Sequence, residues 1–195
     1  LARQLNDPYV AKARAAGYRS RAAFKLLELN EKFHLLAPGM RVVDLGCAPG
    51  GWAQVAVAAV GEKGHVVGCD LLEVEPVPGA DLIVQDFTAE DAPAIIKALM
   101  RGKAGLVMSD MAANTTGHTP TDHIRIIALA ELAYEFALEV LSPGGAFICK
   151  VLKGGTEGEL LKRMRLDFTT VKHAKPAASR SDSAESYVVA KGFRG

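Results

Sequence analysis

The chain has 195 residues, of which 49% are apolar and 23% charged, and its net charge is +1. This length and composition predict a single α/β domain over 1–195 and exclude a disordered or low-complexity chain. No apolar run reaches the roughly 20 residues of a membrane helix, so we expect no membrane partner. The three cysteines show no CxxC spacing, which argues against a disulfide framework or a zinc site and favours a cytoplasmic location.

In chain order, Ser20 is a good helix N-cap, and the apolar residues after it predict a helix to about Phe33. The next predicted elements are a strand over 41–45, a helix over 52–60, strands over 65–70 and 81–84, a helix over 92–100, a strand over 104–110, a helix over 121–141, a strand over 146–152, a helix over 156–168, and strands over 169–173 and 186–191. This alternation predicts a Rossmann-like, mostly parallel seven-stranded sheet with helices on both faces. The last two strands lack a helix between them, which favours an antiparallel strand at one edge.

Charge is distributed unevenly along the chain. Residues 1–25 and 150–195 each carry a net charge of +5, and residues 26–149 carry −9. If the two ends meet in space, they form the positive face that a phosphodiester backbone requires. The alternative is that these lysines and arginines only solvate terminal helices.

The loop Gly46-Cys47-Ala48-Pro49-Gly50-Gly51 follows the first strand, where an α/β sheet binds nucleotide-type ligands. Asp70 ends the second strand and can accept hydrogen bonds from both hydroxyls of a ribose. The loop has neither the dinucleotide glycine spacing nor a P-loop lysine, so a nucleoside cofactor without phosphates, such as S-adenosylmethionine, fits it better. Asp86 could bind the adenine amine and Trp52 could offer an aromatic surface, unless they are a solvated acid and a core indole.

Four charged residues lie where chemistry is expected. Asp110 ends the fourth strand, and Glu185 directly precedes the last one. Lys150 lies within the apolar fifth strand, where an unpaired cation is costly, so it is either a structural ion pair or a functional group. Lys25 lies among apolar residues of the first predicted helix, where a side chain that reaches solvent is the alternative.

Four motifs in order resemble the FtsJ/RrmJ family of S-adenosylmethionine-dependent 2′-O-ribose RNA methyltransferases. They are Arg19-Ser20-Arg21-Ala22-Ala23-Phe24-Lys25-Leu26, Asp44-Leu45-Gly46-Cys47-Ala48-Pro49-Gly50-Gly51-Trp52, Ser109-Asp110-Met111-Ala112, and Ser179-Arg180 through Glu185-Ser186-Tyr187. The resemblance covers nearly the whole chain. Two departures, Cys47 where many members have Ala and Ala113 where Pro is common, concern only the fine geometry of the loops.

The resemblance implies a methyltransferase version of the predicted fold and a catalytic tetrad of Lys25, Asp110, Lys150 and Glu185. It also implies S-adenosylmethionine contacts at Gly50, Trp52, Asp70, Asp86 and Asp110. The most similar subgroup is the bacterial and mitochondrial one that methylates a uridine in the A-loop of large-subunit ribosomal RNA. The implied partner is therefore ribosomal RNA in the large subunit, and we expect a monomer that does not act on DNA.

Two mechanisms remain open for Lys150. Lys150 could be a general base, which requires a pKa below the ordinary value of about 10.4. Alternatively, it stays charged and orients the hydroxyl, whose proton leaves late. Neither mechanism needs a metal, and the five histidines show no ligand spacing with acids or cysteines.

RNA contacts are expected from both basic ends of the chain. The candidates are Arg3, Lys12, Arg14, Arg19, Arg21, Lys153, Lys162, Arg163, Arg165, Lys172, Lys175 and Arg180. Reversing the charge of Arg19 and Arg21 is expected to weaken RNA binding and to spare cofactor affinity.

Three other functions remain as alternatives. The first is a nicotinamide-dependent oxidoreductase, against which the glycine spacing argues. The second is a non-catalytic RNA-binding assembly factor. The third keeps the chemistry but changes the substrate to tRNA or an mRNA cap.

Overall fold

The structure is a computed structural model that describes residues 6–154 and 157–195. The helices are α1 (Pro8–Ala16), α2 (Ala22–Phe33), α3 (Gly51–Val60), α4 (Ala92–Met100), α5 (Thr119–Val140) and α6 (Gly158–Asp167). The strands are β1 (Arg41–Leu45), β2 (His65–Asp70), β3 (Ala80–Val84), β4 (Ala104–Ser109), β5 (Leu141–Leu152), β6 (Phe168–Ala174) and β7 (Glu185–Phe193).

The strands form one seven-stranded sheet in the order β3-β2-β1-β4-β5-β7-β6. Strands β1 to β5 pair in parallel, and β7 is antiparallel to both β5 and β6. The predicted fold class is therefore confirmed, with the antiparallel strand one position inside the edge that β6 forms. The strand order reverses between β1 and β4, which is the point where ligands bind in sheets of this kind.

The strand register brings the ends of neighbouring strands into one row. Leu45 of β1 is paired with Cys69 of β2 on one side and with Ser109 of β4 on the other. The next residues along the three strands are Gly46, Asp70 and Asp110. The parallel register therefore collects a glycine and two acids at a single edge of the sheet.

Both faces of the sheet are covered by helices. On one face, α2 and α3 contribute Leu26 and Trp52 to a buried apolar cluster with Leu106 of β4. On the other face, α4, α5 and α6 bury residues that include Ile96 and Tyr134. Burial on both sides explains why the central strands are almost continuously apolar.

The N-terminal part of the fold differs from the prediction in two ways. Helix α1 was not predicted, although Asp7 and Pro8 are typical of a helix start: the Asp7 side chain accepts a hydrogen bond from the Tyr9 N–H at 3.0 Å. The prediction that Ser20 caps α2 is wrong, because Arg21 precedes the helix without a side-chain cap. Ser20 instead packs against the start of α3, with its Oγ 2.6 Å from where a Cβ on Gly51 would lie.

The other boundaries agree with the prediction within a few residues. The helix predicted over 156–168 is α6, and position 156 lies outside the described residues. Strand β5 begins five residues before the predicted 146, with a register irregularity in its pairing with β4. Within the described ranges, no helix combines the length and apolar character that membrane crossing requires.

Candidate active site

A cavity of about 280 Å³ opens at the carboxyl ends of β1, β2 and β4. Three acids line it: Asp70, Asp86 and Asp110. Gly46 and Ala48 supply its wall from the glycine loop. The volume is close to the lower end of those that hold drug-sized ligands, about 300 Å³. Three of the five residues expected to contact a cofactor are thus brought together.

Backbone hydrogen bonds hold Asp70 in place. Its Oδ2 accepts from the Ala48 N–H of the glycine loop at 2.9 Å, and its Oδ1 accepts from the Leu72 N–H at 2.9 Å. Each carboxylate oxygen can accept a second hydrogen bond. Asp70 can therefore order the cavity wall and still receive two hydroxyls of a ligand.

Asp86 is held by the residues that follow it. Its Oδ1 accepts hydrogen bonds from the Thr88 N–H at 2.9 Å and from the Thr88 hydroxyl at 2.6 Å. These two hydrogen bonds lower the pKa of Asp86 below its ordinary value. The side chain is therefore an ionised acceptor at the far wall of the cavity.

Asp44 is a feature of this site to which the sequence analysis gave no role. It lies in β1, is completely buried, and neither of its carboxylate oxygens has a hydrogen-bond partner among the described residues. Burial raises its pKa to about 8, and repulsion from Asp110 and Asp70 adds to the effect. The signal in the sequence was an acid inside an otherwise apolar strand, Val42-Val43-Asp44-Leu45.

Gly50 and Trp52 are not among the residues that line the cavity. The Trp52 side chain lies in the core, where its indole N–H donates to the Ala22 carbonyl at 2.8 Å and its ring packs on Tyr187 at 5.6 Å between centroids. Gly50 has a φ of +116° and lies against the Arg19 guanidinium. The expected aromatic surface is therefore used to dock α2 onto α3.

Arg19 also has a position that the sequence analysis did not foresee. Its guanidinium donates to the carbonyl of Pro49 in the glycine loop at 3.2 Å, and to the carbonyls of Glu75 at 2.5 Å and Pro76 at 2.6 Å in the β2–β3 connection. These two segments continue from the two walls of the cavity. Arg19 thus joins these two segments, a role that differs from the RNA contact expected of it.

The four tetrad residues form one connected cluster beside the cavity. Lys150 Nζ lies 3.1 Å from Asp110 Oδ1 and 3.6 Å from Glu185 Oε1. Lys25 Nζ lies 4.0 Å from Glu185 Oε2. Asp110 belongs to both the cavity and this cluster, so the two halves of the site share one residue.

The two lysines have pKa values that shift in opposite directions. Burial by itself lowers the pKa of Lys150, but attraction to Asp110 and Glu185 outweighs burial, and the pKa rises above its ordinary value. Burial also lowers the pKa of Lys25, where the same carboxylates are too weak to compensate. In the protein without bound ligand, these shifts favour a protonated Lys150 at neutral pH.

Tyr187 completes the cluster and was not assigned a role from the sequence. Its hydroxyl donates to Asp110 Oδ1 at 2.7 Å, the same oxygen that faces Lys150. Its side chain is fully buried, and burial followed by repulsion from Asp110 raises its pKa well above the ordinary value. The alternation of β7 could have indicated it, because Tyr187 lies two residues after Glu185 on the same face.

The basic ends of the chain meet in part. Asp7 pairs with Arg21 at 2.9 Å and with Arg180 at 3.3 Å, which joins the N-terminal and C-terminal segments. The basic residues of α6 are different, because Lys162 and Arg163 pair with Glu159 and Glu135. Helix α6 also packs on the face of the sheet opposite α2. The predicted positive face therefore excludes α6, and Arg3 lies outside the described residues.

Beside the cluster lies a polar cleft of about 260 Å³. It is lined by Arg21, Lys25, Arg180, Asp182, Ser183 and Glu185. The cleft thus contains the tetrad residues Lys25 and Glu185 and both arginines that Asp7 joins. Among the described residues, no group of three or more histidines, cysteines and acids is arranged to hold a metal ion.

The comparisons with known proteins agree with this arrangement. The model of the family described as FtsJ-like methyltransferase matches residues 18–193. The chain belongs to the FtsJ-like methyltransferase family. The expected resemblance is confirmed, and the chain is an enzyme of the methyltransferase class.

Individual relatives of this FtsJ-like methyltransferase support the assignment. A protein of Granulibacter bethesdensis named ribosomal RNA large subunit methyltransferase E is 64% identical over 197 residues, which cover 100% of this chain and 84% of that protein. The protein of the same name from Paramagnetospirillum magneticum is 61% identical over 200 residues, with 100% and 82% covered. A crystal structure of a ribosomal RNA methyltransferase, described as putative, from Plasmodium falciparum has a TM-score of 0.82 at 28% identity and covers 91% of this chain and 100% of its own.

The buried Asp44 makes stability depend on pH. Its pKa is raised to about 8 in the folded state, so between about pH 4 and pH 8 ionisation favours the unfolded chain, and stability falls as pH rises. We expect Asp44→Asn to gain stability relative to the parent as pH rises, by up to about 1.4 kcal/mol per pH unit. Urea unfolding at pH 5 and pH 7.5 measures this difference.

The control for this prediction is Glu62→Gln, which removes an exposed carboxylate from the α3–β2 loop. It should leave the pH dependence of the parent unchanged. If Asp44→Asn and the parent change in parallel with pH, Asp44 is ionised in the folded protein and the prediction is wrong.

Proposed function

We propose that this methyltransferase transfers a methyl group from S-adenosylmethionine to the ribose 2′-hydroxyl of a uridine in large-subunit ribosomal RNA, in the A-loop of the assembled subunit. The observation that carries the proposal is the position of Asp110, which lines the cavity at the carboxyl ends of the strands and also pairs with Lys150. A cofactor in the cavity and an acceptor at the lysine cluster would therefore meet at one residue. The names of the relatives support the choice of ribosomal RNA.

The residues of the cavity fit this cofactor. Both carboxylate oxygens of Asp70 are held in place by backbone hydrogen bonds and suit a ribose diol. Asp86 is an ionised acceptor that suits an adenine amine. The carboxylate of Asp110 at the cavity wall favours a cationic group nearby, and such a group would also favour the ionised form of the buried Asp44. S-adenosylmethionine supplies a methyl group on a positively charged sulfur. Of the predicted contacts, we retain Asp70, Asp86 and Asp110 as direct and assign Gly50 and Trp52 a supporting role.

The tetrad positions the acceptor hydroxyl. Lys150 carries a proton and can donate a hydrogen bond to the 2′-oxygen, which fixes its direction of attack. Asp110 and Glu185 hold Lys150 from two sides, and Lys25 holds Glu185. As the C–O bond forms, the bond between the methyl carbon and sulfur would break and S-adenosylhomocysteine would leave. The hydroxyl becomes far more acidic in this step, and its proton would pass late to water. The proposal thus adopts the second of the two predicted mechanisms.

The polar cleft beside the tetrad is the place for the RNA acceptor. Arg21 and Arg180 line it with Lys25, and phosphates favour such donors. Asp7 fixes both arginines and thereby makes the N-terminal segment, 1–25, part of the RNA-binding surface. We propose that residues 1–195 act as one domain and as a cytoplasmic monomer, on RNA and not on DNA, because only RNA has the 2′-hydroxyl.

The proposed reaction predicts a product that can be identified directly. Large ribosomal subunits from cells that lack the modification should gain labelled methyl from S-adenosylmethionine, with 2′-O-methyluridine as the labelled nucleoside in mass spectrometry. Lys150→Ala should lower the rate by about 100-fold or more, since positioning and charge are lost together. The matched control is Lys63→Ala in the α3–β2 loop, at the amino end of β2 and away from the site, and it should behave like the parent.

Other outcomes would identify the alternatives. If subunits gain no label but transfer RNA or capped RNA does, the substrate assignment is wrong and the chemistry stands. If the protein binds RNA and Lys150→Ala changes nothing in any of these assays, the protein is a non-catalytic assembly factor.

The protonated Lys150 predicts a characteristic pH profile. The rate at saturating substrates should stay level from about pH 7 to pH 9, because Lys150 keeps its proton over this range. Lys25 has the lowered pKa, so a rise with pH that disappears in Lys25→Arg belongs to Lys25. A rise that persists in that variant would mean that Lys150 must lose its proton, contrary to the proposal.

The position of Arg19 predicts an effect on the cofactor alone. Arg19→Gln cannot bridge the carbonyls of Pro49, Glu75 and Pro76, so the two walls of the cavity lose their connection. We expect the Kd for S-adenosylmethionine to rise about tenfold or more, since hydrogen bonds from a charged donor are lost. Calorimetry measures this affinity.

Arg21→Gln is the matched control for Arg19→Gln. Arg21 donates to the Ala178 carbonyl at 2.7 Å and pairs with Asp7, away from both cavity walls. The variant Arg21→Gln should weaken RNA binding and leave cofactor affinity unchanged. The reverse pattern, with RNA binding lost in Arg19→Gln and cofactor binding lost in Arg21→Gln, would contradict the assignment.

A further inference from the structure

A second basic cleft lies at the end of α2 that is remote from the tetrad. It has a volume of about 200 Å³ and is lined by Lys32, His34, Thr170, Lys172, Val189 and Lys191, together with Phe33. These residues come from the end of α2 and from β6 and β7 at the edge of the sheet. We call it the lysine cleft. Of its residues, only Lys172 was among the expected RNA contacts, and the polar cleft beside the tetrad shares none of them.

The lysine cleft and the tetrad lie on the same face of the same strand. Along β7, Glu185, Tyr187, Val189 and Lys191 alternate with the residues on the other face. Lys191 comes six residues after Glu185, which corresponds to about 20 Å along a strand. Helix α2 lies beside β7 between these two points, because Lys25 contacts Glu185 at one end and the Phe33 carbonyl accepts from Lys191 at the other.

The lining of the lysine cleft is basic and contains no acid. Lys191 is held by the Phe33 carbonyl, and Lys32 lies 5.3 Å from the centre of the Phe33 ring. Lys32 and Lys172 are exposed, and neither forms an ion pair with an acid in the part of the chain that the structure describes. The exposed basic residues Lys162 and Arg163 of α6, by contrast, are neutralised by Glu159 and Glu135.

A cleft with these properties suits an anion. Uncompensated lysines at a concave surface attract phosphate groups by charge, without selecting a particular base. Strand β6 is the edge of the sheet, and its exposed side at Thr170 and Lys172 leaves the approach to the cleft open to a large ligand. The RNA proposed for the polar cleft beside the tetrad is a polymer of such phosphate groups.

We propose that the lysine cleft binds the phosphodiester backbone of the RNA substrate several nucleotides away from the methylated ribose. The proposal rests on the proposed function, because it assigns a second contact to the same RNA. The two clefts then hold the RNA at two points about 20 Å apart along β7. Binding at the remote point raises affinity and fixes direction, and it leaves the chemical step unchanged.

The test is a double charge reversal, Lys32→Glu with Lys172→Glu. The matched control is Arg165→Glu with Lys63→Glu, which makes the same change of charge on α6 and in the α3–β2 loop. Binding to large ribosomal subunits that lack the modification is measured at several salt concentrations, and kcat, KM and cofactor affinity are measured for the same proteins. Circular dichroism confirms that each variant is folded, and Lys32→Gln with Lys172→Gln provides a milder pair.

The lysine cleft predicts that the charge reversal weakens binding about tenfold or more at low salt and reduces the magnitude of the salt slope by about 1 to 2. KM should rise while kcat and cofactor affinity stay at parental values, and the glutamine pair should change in the same direction by less. Equal binding and equal slopes in the test and control pairs would overturn the proposal.

The same data separate this proposal from the proposed function. If the parent protein transfers no methyl group to the subunits, the proposed function fails. The binding measurements then still decide the role of the lysine cleft: a selective loss in the test pair supports an RNA site, and no selective loss rejects it.

Discussion

The ion pair between Lys150 and Asp110 is the interaction around which the candidate site is built. Parallel strands that end at one edge bring Asp44, Asp70 and Asp110 close together, and burial followed by repulsion from Asp110 and Asp70 raises the pKa of Asp44. A buried cation in the neighbouring strand β5 compensates part of this negative charge. Lys150 would be costly in an apolar strand without these acids, and the acids would be costly without Lys150.

The elements on one face of the sheet extend this ion pair towards solvent. Strand β7 supplies Glu185 as a second partner for Lys150 and Tyr187 as a second donor to Asp110. Helix α2 then supplies Lys25 to Glu185 and rests on Trp52 and Tyr187 through the same core. Polar contacts and apolar packing thus fix the tetrad together, because the residues that bury Tyr187 also position α2.

The sequence predicted the sheet and the acidic edge because both depend on local patterns. Apolar runs, turn residues and acids at strand ends are visible without knowledge of the partners, and they marked Asp70 and Asp86 as cofactor candidates, which the structure brings to one cavity. Asp110 was predicted to contact the cofactor only through the resemblance to a family. The tetrad was predicted as a set only through the resemblance to a family. Spacing alone could not show that Lys25 and Glu185, 160 positions apart, are in contact.

The contacts that differ from the prediction are long-range contacts. Arg19 and Trp52 were assigned by residue type, a cation to RNA and an indole to a nucleobase, yet their partners are backbone carbonyls and core side chains. The basic residues of α6 were grouped with the C-terminal segment by proximity in sequence, although the sheet lies between them and α2. Only the three-dimensional arrangement shows which face each element covers.

The contacts of Arg19 have a consequence for how the N-terminal segment moves. Arg19 lies three residues before the start of α2 and joins this segment to the carbonyls of Pro49, Glu75 and Pro76, so local opening of the segment also loosens the cavity walls. Coupling of this kind is reciprocal. A ligand that tightens the cavity therefore also slows amide hydrogen exchange in the residues directly before α2.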